Sequence, residues 1–274
     1  MAQSRTALVT GGSRGIGYDV CRRLVRDGTR VILHAPTPAE AHAAVDRLIR
    51  EGADPGLLQA AAADFRRLGD VTSLARHLDR LDLLINNAGV ADGFAATFQI
   101  NYLAHYALTR LLGRGLNAAG GRVVTVAAAA HRSGDLDPDD PTAIVETRAD
   151  NAYANSQLAL VLFARALALT AERRVTSVAV HPGCIDTGTR TAVYGRGGLP
   201  VSDGAAHVSH AADPAVEVVN GGYYEGLLLG EPAPAARDDT AALRLWRATA
   251  RLLDWDYTAA RTPNRLRDTA RTAA

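Results

Sequence analysis

The sequence predicts an α/β fold in which a parallel sheet carries helices on both faces. Two observations lead there: short apolar runs alternate with amphipathic stretches from near the start, and a glycine-rich turn joins the first apolar run to the first helix. A third bounds it, since 274 residues at 47% hydrophobic content are enough for one well-buried core. Residues 1–274 are therefore read as a single domain. Ala7-Leu8-Val9 and Val31-Ile32-Leu33 predict the first two strands, with a helix from Ile16 to Asp27 between them. Leu58 to Ala63 predicts a third strand, Leu81 to Ile85 a fourth, Val123 to Val126 a fifth and Thr176 to Val180 a sixth, with helices between. Phe94 to Leu112 and Tyr153 to Glu172 are the longest helical patterns, with apolar residues recurring at three and four positions. Residues 188–212 are rich in Gly, Ser and Thr and poor in periodic apolar residues, which predicts a mobile loop of the kind that covers a site. Thr240 to Leu253 predicts an amphipathic helix, and residues 240–274 end in an Arg-rich tail read as frayed.

Composition narrows the function. A formal charge of +1 with interspersed signs gives no electrostatic footprint for nucleic acid or an anionic membrane, so the expected partner is a small molecule. Charges interrupt the apolar stretches, and no signal peptide or spanning helix is read, which leads to the expectation of a soluble, cytoplasmic protein. Cys21 and Cys184 stand in no metal-ligand spacing and are read as two free thiols, with no metal centre. All 30 basic residues are arginine, which removes lysine chemistry altogether.

The segment Thr10-Gly11-Gly12-Ser13-Arg14-Gly15-Ile16-Gly17 follows the first strand and opens a helix, the context that a phosphate-binding glycine turn requires. Gly11 permits the tight turn, Gly15 lets backbone approach a pyrophosphate, and Gly17 lets the helix sit close on the strand. Asp64 ends the third strand, Asn86-Asn87-Ala88-Gly89 ends the fourth, and Asn101 lies in the next long helix. Together these motifs resemble the short-chain dehydrogenase/reductase family over nearly the whole chain. The resemblance implies a Rossmann-type, doubly wound sheet. It further implies that Gly11, Ser13, Arg14, Gly15, Ile16, Gly17, Asp64, Phe65, Asn87, Ala88 and Gly89 hold a dinucleotide. After the sixth strand, His181-Pro182-Gly183-Cys184-Ile185-Asp186-Thr187 resembles the family's P-G-x-x-x-T segment, which gives Pro182, Gly183 and Thr187 cofactor contacts. Cys184 is read there as a small packed hydrophobe.

The second strand ends at His34-Ala35-Pro36, with no acid to accept from a free ribose 2′-hydroxyl, which argues against NAD. Arg14 resembles the basic residue of NADP-preferring members, and NADP(H) is the expected cofactor. A second basic residue after the second strand is absent, since Pro36 stands there.

At the catalytic positions the chain departs from the family. Tyr153 opens its helix as Tyr153-Ala154-Asn155-Ser156-Gln157, where the family pattern places lysine at the position of Gln157. The segment Val124 to His131 resembles that of retinol-dehydrogenase-like members, whose serine lies three residues before the histidine and is Ala128 here. The resemblance makes Tyr153 and Asn101 catalytic, with Cys184 near the nicotinamide and Tyr153 also a cofactor contact. Losing the lysine and the hydroxyl is expected to slow ordinary ketone reduction by several powers of ten. His131 and Ser133 are possible substitutes, His131 with a structural role favoured and Ser133 equally explained by turn chemistry. Asn155 and Ser156 are read as local hydrogen-bonders. Three readings follow in order: an NADP(H)-dependent oxidoreductase on an activated substrate such as an iminium or quinone, in secondary metabolism; a non-redox cyclase, dehydratase or isomerase using the same pocket; and a dinucleotide-binding pseudoenzyme. The resemblance also allows a homo-oligomer through the two long helices.

Overall fold

Strands that bury both faces need a helical layer on each side, and the core divides accordingly. The computed structural model describes residues 5–78, 80–142, 151–171, 174–188 and 197–255. Its strands are β1 (Thr6–Val9), β2 (Arg30–Ala35), β3 (Leu58–Ala62), β4 (Leu83–Asn86), β5 (Arg122–Val126), β6 (Thr176–His181), β7 (Tyr223–Glu225) and β8 (Leu228–Gly230). They form one sheet in the order β3-β2-β1-β4-β5-β6-β7-β8. All neighbours pair in parallel except β7 with β8, an antiparallel hairpin at the edge. The order reverses between β1 and β4, which opens the crevice where doubly wound sheets bind ligands.

The helices are α1 (Gly15–Arg26), α2 (Pro38–Arg50), α3 (Leu68–Arg76), α4 (Phe94–Phe98), α5 (Ala104–Ala119), α6 (Ala152–Thr170), α7 (Val201–Ala212) and α8 (Asp239–Leu252). One layer joins Val20 and Leu24 of α1, Leu48 of α2 and Val208 of α7 to Ala7 and Val9 of β1. The other joins Val71 of α3, Leu108 of α5, Leu158 and Phe163 of α6 and Trp246 of α8 to Leu8. Successive residues of β1 thus enter opposite cores, as the period of two requires. The α6 helix is long and apolar enough to cross a membrane, and it lies mostly buried inside the protein, between the sheet and α8.

The six predicted strands and both long helical patterns are present, with ends shifted by one or two residues in most cases. Two findings correct the sequence reading. The long pattern from Phe94 is interrupted by a π-helical turn, Gln99–Leu103, between α4 and α5. And the predicted loop over residues 188–212 holds α7 in its second half, while residues 189–196 lie outside the described residues. The reason is the size of the buried side chains: α7 packs through Gly204, Ala205, Val208, Ala211 and Ala212, mostly small residues that give a weak periodic signal. Small residues are needed because the helix approaches closely. A Cβ on Gly204 would stand 2.6 Å from Ile185 Cγ1 and 3.2 Å from Ile16 Cδ1. Gly204→Val is therefore expected to lower unfolding free energy by about 1–3 kcal/mol, read as a lower urea midpoint at unchanged slope.

Candidate functional site

The glycine turn is clamped by backbone and hydroxyl groups on its inner side and open on its outer side. A Cβ on Gly17 would fall 2.4 Å from the Gly11 carbonyl oxygen and 2.5 Å from Asn87 Nδ2, so no other residue fits there without movement. Gly11 has φ +64°, and its Cβ would lie 2.8 Å from Ala88 Cα. Gly15 has φ +56° and an open face, where an added Cβ would meet, among the described residues, only the Thr187 methyl, at 3.9 Å. The α1 helix begins here with Arg14 at its N-cap, no side-chain cap and no acid in the first turn. The Arg14 side chain does not cap the leading amides, and an anion suits them by both hydrogen bonding and helix dipole. An open glycine face beside amides that Arg14 leaves uncapped, with Thr187 near it, fits the pyrophosphate of a dinucleotide.

Thr10, at the end of β1, ties this turn to the rest of the site. Its Oγ1 accepts from the amides of Asn87 at 2.8 Å and Ala88 at 3.0 Å. It also lies 2.9 Å from His105 Nε2. Asn87 Nδ2 returns the tie by donating to the carbonyls of Thr10 at 2.9 Å and Gly11 at 3.2 Å. His105 Nδ1 bonds the Asn101 carbonyl at 2.7 Å, so that nitrogen carries the proton and Nε2 accepts from the Thr10 hydroxyl. Asn101, in the π-helical turn, brackets Val90: Oδ1 accepts from its amide at 2.8 Å and Nδ2 donates to its carbonyl at 3.0 Å. The same Nδ2 donates to Ser156 Oγ at 3.0 Å. One chain of bonds therefore runs from the glycine turn to the start of α6.

Ser156 is the junction at that end. Fully buried, it also accepts from Gln157 Nε2 at 3.2 Å and donates to the Tyr153 carbonyl at 2.7 Å. Sequence reading treated Ser156 as a local hydrogen-bonder, and it does bond locally, but it also connects Asn101 to Gln157. A donor of Gln157 is thereby used inside the protein. Tyr153 is half-buried at the second position of α6, in a helix start whose neighbouring residues are bonded by the segment after β5. Asn155 Oδ1 accepts from the Asp135 amide at 2.7 Å, and Asn151 Nδ2 donates to the Ser133 carbonyl at 2.6 Å. Gly134 lies so close to α6 that a Cβ would be 2.9 Å from the Ala154 carbonyl oxygen.

His131 and Ser133, the two side chains weighed as substitutes, both have their polar atoms engaged within the fold. His131 is buried with both ring nitrogens committed: Nδ1–H donates to the Ala128 carbonyl at 2.9 Å, and Nε2 accepts from the Ala233 amide at 3.0 Å. Burial also lowers its pKa, so it stands neutral as a brace and has no free donor for a substrate. Ser133 is exposed and its hydroxyl donates to the Ala130 carbonyl at 3.0 Å, which is turn chemistry. Cys184 is exposed, contrary to the packed position expected, and it follows Gly183, whose φ of +102° lies in the left-handed region.

The other residues expected to hold a cofactor are half-buried or inside the fold. Asp64 is half-buried at the end of β3, its Oδ1 accepting from the Arg66 amide at 3.0 Å. Phe65 is packed inside, stacked on His34 at 4.3 Å and edge-on to His105 at 5.4 Å, so its ring supports the site from below. Pro182 is buried, and its carbonyl bonds His207 Nδ1 at 2.8 Å. Ile16 packs toward α7, while Gly89 lies against Asn101, whose Oδ1 would be 3.5 Å from an added Cβ. Sequence reading missed His34 as a support. Its Nδ1 accepts from the Gly11 amide at 3.2 Å, and its Nε2 donates to the Ala63 carbonyl at 2.9 Å.

Burial pushes both His34 and His105 down to a pKa of about 4, from an ordinary value of 6.5. Both rings are neutral in the fold, whereas the unfolded chain takes up protons first as pH falls. Their contribution is fully present above pH 6.5 and is lost progressively as pH falls from 6.5 to about 4. On the order of 3 kcal/mol per ring is involved. The urea midpoint of His105→Gln, though lower at neutral pH, is expected to fall less over that window than that of the unsubstituted protein. Thr10→Val is expected to cost about 2–4 kcal/mol, because it leaves the Asn87 and Ala88 amides without their acceptor.

Comparison with known proteins agrees with this geometry. The family model described as short chain dehydrogenase matches residues 5–195. Human retinol dehydrogenase 13 is 33% identical over 282 residues, covering 91% of this chain and 84% of its own length. A Streptomyces sp. (strain C5) protein, named as a candidate daunorubicin C-13 ketoreductase, is 34% identical over 272 residues, covering 90% of this chain and 91% of its own. Among solved structures, a blue fluorescent protein from a metagenomic library, in complex with NADPH, superposes with TM-score 0.65 at 27% identity over 81% of this chain and 95% of its own. With the sheet order, the open glycine turn and the Asn101 linkage in place, the chain belongs to the short-chain dehydrogenase/reductase family, in its retinol-dehydrogenase-like subgroup.

Proposed function

We propose that this protein is an atypical NADP(H)-dependent oxidoreductase that acts on a small, activated organic compound such as an iminium, a quinone or a conjugated acceptor. The observation that carries the reading is the pairing of a complete dinucleotide cradle with a site start at which Gln157 is neutral and bonded to Ser156. Family membership supports a nicotinamide dinucleotide and oxidoreductase chemistry in general. The NADP(H) preference rests on Arg14 and on the absence of an acid at the end of β2.

When bound, the nicotinamide supplies or accepts the hydride. The chain's own residues do the rest. Gly11, Gly15 and Gly17 let backbone approach the pyrophosphate, and Thr187 stands across from them. Tyr153 is the remaining side chain that can give a proton to, or take one from, the substrate oxygen or nitrogen. Ala128 offers that atom a methyl group and no hydrogen bond, and Gln157 brings no charge with which to favour a phenolate. A substrate that needs little help with protonation fits such a site. A simple ketone does not.

The decisive assay follows nicotinamide absorbance and product together. Oxidised cofactor equal to product formed is the expected result, and product without cofactor consumption would establish the non-redox alternative instead. The double substitution Ala128→Ser with Gln157→Lys is expected to raise reduction of an unactivated ketone by about 10²-fold or more. Absence of any gain in a variant that still binds NADPH would refute the assignment of these two positions.

A further inference from the structure

The outer side of the glycine turn carries a second cation that the motif itself does not contain. Arg47, near the end of α2, is 34 residues from Ser13 in sequence, yet its Nη2 donates to the Ser13 carbonyl at 3.0 Å. Its guanidinium lies over the Tyr18 ring, 3.6 Å from the centroid. Tyr18, on α1, is itself fixed by a hydrogen bond from its hydroxyl to Glu51 Oε1 at 2.9 Å. Arg47 therefore holds the residue immediately before Arg14, and both arginines are exposed.

A single backbone carbonyl makes poor use of a guanidinium, which has five N–H donors in a planar fork suited to phosphate. Stacking on Tyr18 orders the side chain in advance and lowers the entropy lost on binding an anion. The end of β2 itself carries no acid: His34 is neutral and buried, and Ala35 and Pro36 follow. The negative charge of Glu51 lies nearby but is held by the Tyr18 hydroxyl, with no ion pair to Arg47.

We propose that Arg47 is a specificity-determining residue for the cofactor, acting with Arg14 to bind the 2′-phosphate of NADP(H). The proposal rests on the NADP(H) reading given above. It also answers the missing basic residue at Pro36, because α2 delivers the second cation from its far end instead.

The test is equilibrium titration of NADPH, NADH, adenosine 2′,5′-bisphosphate and adenosine 5′-monophosphate, followed by calorimetry, on the unsubstituted protein and on Arg47→Gln, Arg47→Lys and Tyr18→Leu. Arg47→Gln is expected to weaken NADPH and the bisphosphate about tenfold while NADH and the monophosphate change less than about twofold. Arg47→Lys is expected to retain part of the preference, and Tyr18→Leu to lose part of it. Equal weakening of all four ligands in Arg47→Gln would show that Arg47 only braces the turn, and an unchanged NADPH affinity would show that it does nothing for the phosphate. Either result overturns the proposal while leaving the NADP(H) reading intact. An unsubstituted protein with no preference for NADPH would overturn that reading first, and this inference with it.

Discussion

The Thr10 hydroxyl is the constraint on which the site depends. A parallel sheet that reverses its order leaves a gap between β1 and β4, and nothing in the strand ladder itself fixes how the segments beyond that gap are placed. One buried oxygen does so here, by accepting two amides of the segment after β4 and meeting the ring of His105. Because Thr10 and His105 are buried, the two amides are half-buried, and all would be costly to leave unpaired, the arrangement is fixed more firmly than a surface contact would fix it. The glycines can then serve as a cradle because the turn they form cannot drift.

From that point polar order spreads inward without formal charge. His105, Asn101, Ser156 and Gln157 form a line of neutral donors and acceptors between the cofactor cradle and α6. Neutral groups are cheaper to bury than an ammonium, which needs a partner or loses its proton. On the proposed assignment of Gln157 to the family's lysine position, the buried network gains internal satisfaction and gives up a cation. That exchange is why the same fold is read here as serving a substrate that supplies its own reactivity.

Much of this was legible in the sequence, and the failures have physical causes. Strands β1, β2, β4, β5 and β6 announced themselves because burial on both faces demands apolar runs, whereas β3, at the sheet edge with no fully buried residue, showed only a short run of Leu and Ala. Gly11, Gly15 and Gly17 were legible because only glycine meets those contacts and dihedrals. The α7 helix was not, since close packing selects Gly and Ala, residues that also compose loops. Ser156 and Arg47 were illegible for a different reason. Their roles come from partners 55 and 34 positions away, and no local pattern records such distances. Nor does sequence alone reveal that His131 has no free nitrogen, because its acceptor and donor lie on separate segments.

The exposure of Cys184 gives the protein an unplanned experimental property. The chain has only two cysteines, and the other, Cys21, is fully buried with its thiol pushed well above the usual range. A thiol-directed dye would therefore attach at one place, on the segment between Gly183 and Thr187 that borders the cradle. Without any engineered residue, the molecule offers a single optical handle beside its own binding site.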